Sequence, residues 1–326
     1  MKKFPLPRID KDETLQKLLF NYCRIKPGEI WYDEKGKHAV GCFDVNDIEL
    51  LKEFMGKNKA SLAVHDPPYN MVAFQKENVN NFIDWCRQWI SSSYHFLKQN
   101  SSLYVWLGAD QKNHFEPFAE FILMMKDTGF DSRSFITMRN QRGYGTQSNW
   151  MALRQELLYY TKGKPLFNIE DVYTDIPKVL KGYYKEIGGK LTENIERSKS
   201  KNIRAGNVWV DVQQVFHLLE ENVNGCFAQK PIKAIERIIK VSSKPKDLVI
   251  DYFSHAGTTL LASEINNRKC NTIDINPIYC EITIRRLENY RNTKKTGWQN
   301  SNPFEKEILI DKKLKSYLNS KYGLNY

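Results

Sequence analysis

The 326-residue chain has no long apolar run. Stretches such as Phe121 to Met125 fall far short of the roughly 20 residues that a membrane helix needs. The opening MKKFPLPRID is basic, but no apolar region follows it, so neither a signal peptide nor a membrane partner is expected, and the expected location is cytoplasmic. Cysteine is sparse and scattered. Cys23, Cys42, Cys86, Cys226, Cys270 and Cys280 form no Cys-x-x-Cys and have no paired histidine nearby. No metal site is therefore expected, and all six read as structural thiols in a reducing compartment. Gly-x-Gly-x-x-Gly is absent, which disfavours a dinucleotide. Acidic residues are in deficit, 38 Asp+Glu against 49 Lys+Arg, for a net charge of +11. The commonest physical reason for such an excess is a polyanionic partner such as nucleic acid. The excess is spread along the chain, so a binding surface has to be assembled by the fold.

What is present is a text of short apolar runs alternating with amphipathic stretches. Strands are expected at His38–Phe43, Ala60–His65, Leu103–Leu107, Ser134–Met138, Leu153–Thr161, Asp247–Ile250 and Lys269–Ile273. Helices are expected at Asp47–Met55, Asn81–Leu97, His114–Lys126, Pro231–Ser242, Thr258–Asn266 and Pro277–Tyr290. This alternation predicts an α/β fold with a doubly wound, mostly parallel sheet covered on both faces. Between Lys162 and Arg204 the chain turns polar, with ten basic and six acidic residues and weak periodicity. The expected division is one domain made from 31–164 and 207–290. Residues 165–206 are then an insertion, and 1–30 and 291–326 are appendages. Trp85, Trp89 and Trp106 sit on periodic apolar faces and read as core, and Glu156 reads as structural.

The sharpest motif is Asp66-Pro67-Pro68-Tyr69, directly after the apolar Leu62-Ala63-Val64. Ligands of parallel sheets bind beyond the carboxyl ends of the strands, so these residues open into the crevice. Two prolines stiffen the loop and remove two backbone donors. An Asp carboxylate beside a fixed Pro carbonyl makes an acceptor pair suited to a neutral amino group with two hydrogens. Tyr69 offers a face against which a heterocycle stacks. A second constellation runs Asp251-Tyr-Phe253-Ser254-His255-Ala-Gly257-Thr258-Thr259 and leads into a helix, whose N-terminus can hold a polar ligand end. Asp274 lies 23 residues beyond Asp251, the spacing of an acid that accepts from ribose hydroxyls.

Together these residues resemble the S-adenosylmethionine-dependent DNA amino-methyltransferases. Asp66-Pro-Pro-Tyr69 looks like their catalytic motif, and Asp251 to Thr259 is similar to their cofactor loop. Gln229-Lys230-Pro231 matches the end of a segment whose lysine side lies near the methionine part of the cofactor. Asn207-Val208-Trp209 and Glu156 to Lys162 look like further landmarks. The catalytic motif precedes the cofactor loop by 185 residues, the circularly permuted β order of these enzymes. The resemblance spans roughly Lys37 to Tyr290 and implies a Rossmann-like class I methyltransferase fold with a small inserted target-recognition segment. Two departures stand out: Tyr252 replaces the usual Pro, and His255 the usual first Gly of the loop.

The resemblance implies methyl transfer to the N6 amino group of adenine in double-stranded DNA, with the base flipped out of the stack. Asp66 and Pro67 would accept the amino hydrogens, and Asp251, Phe253, Ser254, His255, Gly257, Thr258, Thr259, Asp274, Lys230 and Pro231 would bind the cofactor. DNA contacts are expected from Arg139, Arg142, Lys162 and Lys164 after strands on the ligand side, and from Lys199, Lys201 and Arg204 in the insertion. Cytosine N4, where the family more often carries Ser in place of Asp66, stays open as the target. So do an RNA substrate and a silent DNA-binding homologue disabled by His255. A homodimer and an accompanying restriction enzyme are also left open.

Overall fold

A computed structural model describes residues 4–68, 78–109, 114–146, 149–171, 173–177, 183–194, 200–212, 215 and 220–326, without the side chains of 140–146, 149, 152, 183, 185, 193 and 194. The strands are β1 (Ile30–Tyr32), β2 (His38–Cys42), β3 (Ala60–His65), β4 (Leu97–Leu107), β5 (Asp131–Thr146), β6 (Asn149–Lys162), β7 (Tyr173–Pro177), β8 (Tyr183–Ile187), β9 (Lys190–Asn194), β10 (Asn202–Arg204), β11 (Val208–Trp209), β12 (Leu248–Asp251) and β13 (Lys269–Asp274). The helices are α1 (Glu13–Phe20), α2 (Ile48–Met55), α3 (Val79–Phe96), α4 (Phe118–Met125), α5 (Ile232–Ser242), α6 (Thr258–Ile265), α7 (Pro277–Thr293), α8 (Glu305–Ile310) and α9 (Lys312–Tyr322).

Local chemistry sets the helix ends. The Asp47 carboxylate accepts from the Leu50 N–H to start α2, and Gly56 ends that helix at φ 52°. Asn276 caps α7, with Pro277 in its first turn. In β3 the side chains alternate: Leu62 and Val64 pack on one face, Ala63 on the other.

The main sheet runs β1-β2-β13-β12-β3-β4-β6-β5-β11. Strands β2, β13, β12, β3 and β4 are mutually parallel, while β6 runs against both β4 and β5. On one face Ala63, Val105, Ile250 and Ile273 pack against Phe54, Trp89 and Phe121 of α2, α3 and α4. On the other, Leu62, Val64, Trp106 and Val249 pack against Ile235 and Ile238 of α5 and Leu261 of α6. Trp89 and Trp106 are fully buried, and Trp85 is half-buried against the same core. The order of the strands is doubly wound. From β3 the chain proceeds outward to β4, and from β12 it proceeds the opposite way to β13. The switch point therefore lies between β3 and β12, which come from different halves of the chain.

Within 165–206 the pairs β7–β10 and β8–β9 form two small sheets separate from the main one. The expectation of two terminal appendages is corrected by the packing. Leu6, Ile9, Leu15 and Leu19 share one core with Phe304, Ile308, Leu314 and Leu318, and that core reaches Ala256 and Ile278. The hydroxyls of Tyr317 and Tyr322 both donate to Asp12, locking the two ends together. Among the described residues no helix is long and apolar enough to cross a membrane.

Candidate active site

Asp66 follows the last residue of β3, and Asp251 ends β12, so both acids emerge at the switch point. The Lys230 ammonium reaches across from the loop before α5 and donates to both Asp66 oxygens, at 2.9 and 2.7 Å. Lys230 is buried and its Nζ stands 5.2 Å above the Trp106 ring, whereas the Asp66 side chain is 27% exposed. A carboxylate offers about four lone-pair sites, and two bonds from Lys230 orient Asp66. Pro67 is buried and Pro68 exposed. Tyr69 lies outside the described residues.

His65, which the sequence did not single out, joins the two halves of the site. It is fully buried, and its Nδ1 accepts the Tyr252 N–H at 3.2 Å. Its Nε2 lies 3.0 Å from Ser93 Oγ, which itself donates to the Trp89 carbonyl. Ring stacking on Tyr252 at 4.6 Å completes the contact. Burial pushes the imidazole pKa down, so the ring stays neutral, as an acceptor at Nδ1 requires. The departure at Tyr252 has its physical counterpart here, because the proline it replaces has no N–H to give.

The cofactor-like loop is pinned from several sides. Asp251 accepts from the Phe253 N–H at 3.0 Å, Ser254 N–H donates to the Ile273 carbonyl at 2.7 Å, and Ser254 Oγ lies 2.7 Å from Thr283 Oγ1. His255 adopts φ 46°, the left-handed backbone that a glycine takes readily. Its N–H donates to Asp274 at 2.8 Å, and its ring packs 4.8 Å from that of Tyr279. Burial and the nearby Lys230 charge hold that imidazole neutral, with a pKa of about 4. Gly257 is obligatory: at φ 70°, a Cβ there would stand 2.9 Å from Thr283 Cα. Asp274 also accepts the Asn276 N–H at 2.9 Å, yet burial raises its carboxyl to about 6.

A narrow cavity is lined by Asp66, Trp106, Lys230, Asp251, Ser254 and His255, among others, with Thr258 and Thr259 in its wall. Pro231, buried, stands next to Lys230 as the N-cap of α5. A second, open cavity of about 440 Å³ begins past Asp274, between Ile275–Ile278 and Gln16, Lys17, Phe20 and Pro27. These residues fit S-adenosylmethionine, an elongated molecule with an amino-acid end and a nucleoside end. Asp251 offers a charge for the ammonium and Asp274 offers acceptors for the ribose, while the Lys230 ammonium is turned to Asp66. Among the described residues the buried Trp106 Nε1, in the wall of the narrow cavity, has no hydrogen-bond partner. No group of three His, Cys, Asp or Glu among them could hold a metal.

The basic residues divide by register. Arg139, exposed, pairs with Arg154 where β5 and β6 pass the ligand edge. Lys201 is exposed beside Asn202, which pairs with Pro177, and Lys233 at the start of α5 holds Asp175 at 2.8 Å, which draws this strand pair to the same edge. Arg204 is exposed two residues on, opposite Tyr173. The placement of Lys162 and Lys164 on the ligand side is corrected: β6 is antiparallel, and Lys162 pairs with Ser101 near the start of β4. Its ammonium is held there by the Tyr94 and Leu97 carbonyls, while Lys164 N–H donates to Asn100. The side chain of Arg142 and the whole of Lys199 lie outside the described residues.

Sequence and fold comparisons agree with this geometry. Over 279 residues the chain is 27% identical to the type II methyltransferase M.BamHI of Bacillus amyloliquefaciens, covering 83% of this chain and 61% of that protein. It is 26% identical over 262 residues to the DNA adenine methyltransferase YhdJ of Escherichia coli K12, covering 78% and 84% of the two chains. The fold matches that of the cytosine-N4-specific PvuII DNA methyltransferase with a TM-score of 0.57 at 18% identity, covering 80% and 89%. A family model for DNA methylases acting on N6 and N4 matches residues 60–285, more than two thirds of the chain. The chain therefore belongs to the N6/N4 DNA methylase family, whose methyl donor is S-adenosylmethionine.

Proposed function

We propose that the protein methylates the N6 amino group of adenine in duplex DNA after the base has left the stack. The observation that carries this reading is the Asp66 carboxylate, fixed by Lys230 at 2.7 and 2.9 Å where β3 and β12 diverge, and followed by Pro67. An exocyclic amino nitrogen is a poor nucleophile because its lone pair is conjugated with the ring. Asp66 and the Pro67 carbonyl accept its two hydrogens, which turns the lone pair out of the ring plane and aims it. Bound S-adenosylmethionine supplies a methyl group already activated on a sulfonium sulfur. Asp251, Ser254 and Asp274 hold and orient that molecule, and Asp66 accepts the proton that the amino nitrogen sheds. Catalysis rests on orientation and electrostatics, with no nucleophilic side chain. The buried thiols agree with that: Cys270 and Cys280, for example, are pushed far above the ordinary thiol range.

Asp rather than Ser at position 66 favours adenine over cytosine, and one relative is named as a DNA adenine methyltransferase. Extrusion of the base costs a few kcal/mol, offset by phosphate contacts and by stacking, for which Tyr69 is the proposed face. Arg139, Lys201 and Arg204 are the proposed phosphate contacts among the described side chains. The test is nucleoside mass spectrometry of unmethylated DNA incubated with the protein and isotopically labelled S-adenosylmethionine. Label in N6-methyladenine is the expected result. Label in N4-methylcytosine overturns the choice of base, and no label in any DNA overturns the activity.

A further inference from the structure

The β5–β6 hairpin is longer than the sheet requires. Strand β4 ends at Leu107, opposite Glu156, so the part of β6 before Glu156 runs on past the ligand edge. Beyond Arg139 the described pairing there is between β5 and β6 alone. Trp150 stands six residues from Glu156, which at about 3.3 Å per residue puts it roughly 20 Å beyond the end of β4. It is 91% exposed and its neighbour Met151 is 55% exposed, which leaves most of an indole in water. Arg139 lies directly opposite Arg154, so these two share one face of the ribbon, and the register shifts between there and the pairing of Thr146 with Asn149, beside Trp150. The Arg154 side chain is 72% exposed. Its Nε also pairs with Glu156 Oε1 at 3.0 Å, so the two facing arginines and that carboxylate carry a net single positive charge there, which a polyanion lying over them would offset.

We propose that this ribbon is a DNA-inserting element, with Trp150 stacking into the duplex beside the extruded base and Arg139 and Arg154 on the flanking phosphates. The inference rests on the reading of the protein as a duplex-DNA methyltransferase. Removing a base from the stack leaves a gap, and a planar apolar side chain on a basic ribbon is a group that can fill one. A single strand has no such gap, so the role of Trp150 is specific to duplex.

The test compares methyl incorporation from tritiated S-adenosylmethionine into PCR-amplified genomic DNA, native or heat-denatured, at DNA concentrations below KM. Trp150→Ala is expected to slow the reaction on native DNA by about 5- to 150-fold, the worth of one aromatic–base stack. On denatured DNA the loss stays below about threefold, and Trp150→Phe recovers most of the duplex rate. The unfolding temperature and cofactor binding of both variants are expected to match the wild type. An unchanged duplex rate in Trp150→Ala, an equal loss on both substrates, or a loss that follows a fall in unfolding temperature overturns the inference and leaves the methyltransferase reading standing. A wild-type protein that labels neither DNA overturns that reading, and the inference with it.

Discussion

At the scale of single residues, the site depends on side chains held in place by others. Lys230 contributes its two bonds to the Asp66 carboxylate, so its main effect should fall on the chemical step. Lys230→Met is expected to lower kcat by about 10- to 100-fold, the cost of a misplaced reacting group, while the Kd for S-adenosylmethionine changes less than about fivefold. Steady-state kinetics with calorimetry decide it: a large change in Kd with kcat intact would make the lysine a cofactor ligand instead. Asp274 gives a pH dependence of definite sign. Its carboxyl is raised to about 6 by burial, so it is charged above that pH and increasingly protonated below it. Cofactor affinity is therefore expected to be level between pH 7 and 8 and to fall by up to about tenfold per unit below pH 6. Asp274→Asn should weaken binding and flatten the profile, and a wild-type profile flat down to pH 5 would contradict the assignment. His255 already occupies the backbone conformation of the glycine it replaces, with its ring packed on Tyr279. His255→Gly should leave the Kd within about threefold, since relief of roughly 1 kcal/mol of backbone strain is offset by lost ring packing. A gain of tenfold or more in affinity would mean that the imidazole obstructs the site.

At the scale of elements, the loop between β12 and α6 is held by a residue far away in sequence. Arg286 of α7 is fully buried and donates to the carbonyls of Ala256, Glu221 and Thr296 and to Thr258 Oγ1. Burial lowers its pKa to about 10, still high enough to keep it charged near neutral pH. Arg286→Leu is expected to cost roughly 3 kcal/mol or more, because the Ala256 and Thr296 carbonyls and Thr258 Oγ1 lose this charged donor and the Glu221 carbonyl keeps only Gln229, and urea unfolding measures it. A loss below about 1 kcal/mol would mean that the loop holds itself. Nothing in the sequence pointed to Arg286 or to His65, because backbone acceptors leave no side-chain signature and their partners lie far along the chain. Strand β3, strand β13 and helices α2, α5 and α7 were legible to within a few residues, since each combines a clean apolar period with a cap or a turn at its ends. The direction of β6 was not. Apolar periodicity is the same either way along a strand, so it fits Lys162 and Lys164 at the ligand edge as well as at the other, where the antiparallel register puts them. Two residues, 147 and 148, separate β5 from β6, too few for a crossover helix, and Gly143 and Gly145 near the end of β5 carried the missing signal.

At the scale of the whole molecule, the site exists only because two chain segments interleave in one sheet. Strand β12 lies between β3 and β13, and β13 in turn pairs with β2. A fragment ending near residue 164 lacks both β12 and β13, the two strands that join β2 to β3 in the sheet. It is expected to show no cooperative thermal transition, and a stable, folded fragment of that length would contradict the single-domain account. The joining of the two termini into one core was hidden for the same reason: Leu15 and Leu314 each belong to a short helix whose apolar stripe does not name its partner. The central claim is that Asp66, delivered by one half of the chain, acts on an amino group beside a cofactor held by the other. The most direct measurement is label transfer from S-adenosylmethionine to DNA by wild type, Asp66→Ala and Asp66→Asn, with calorimetric cofactor binding and the unfolding temperature of each protein in parallel. The account predicts N6-methyladenine from the wild type and at least a 100-fold loss in both variants, with cofactor binding retained. Label at the wild-type rate from a folded Asp66→Ala protein would contradict it.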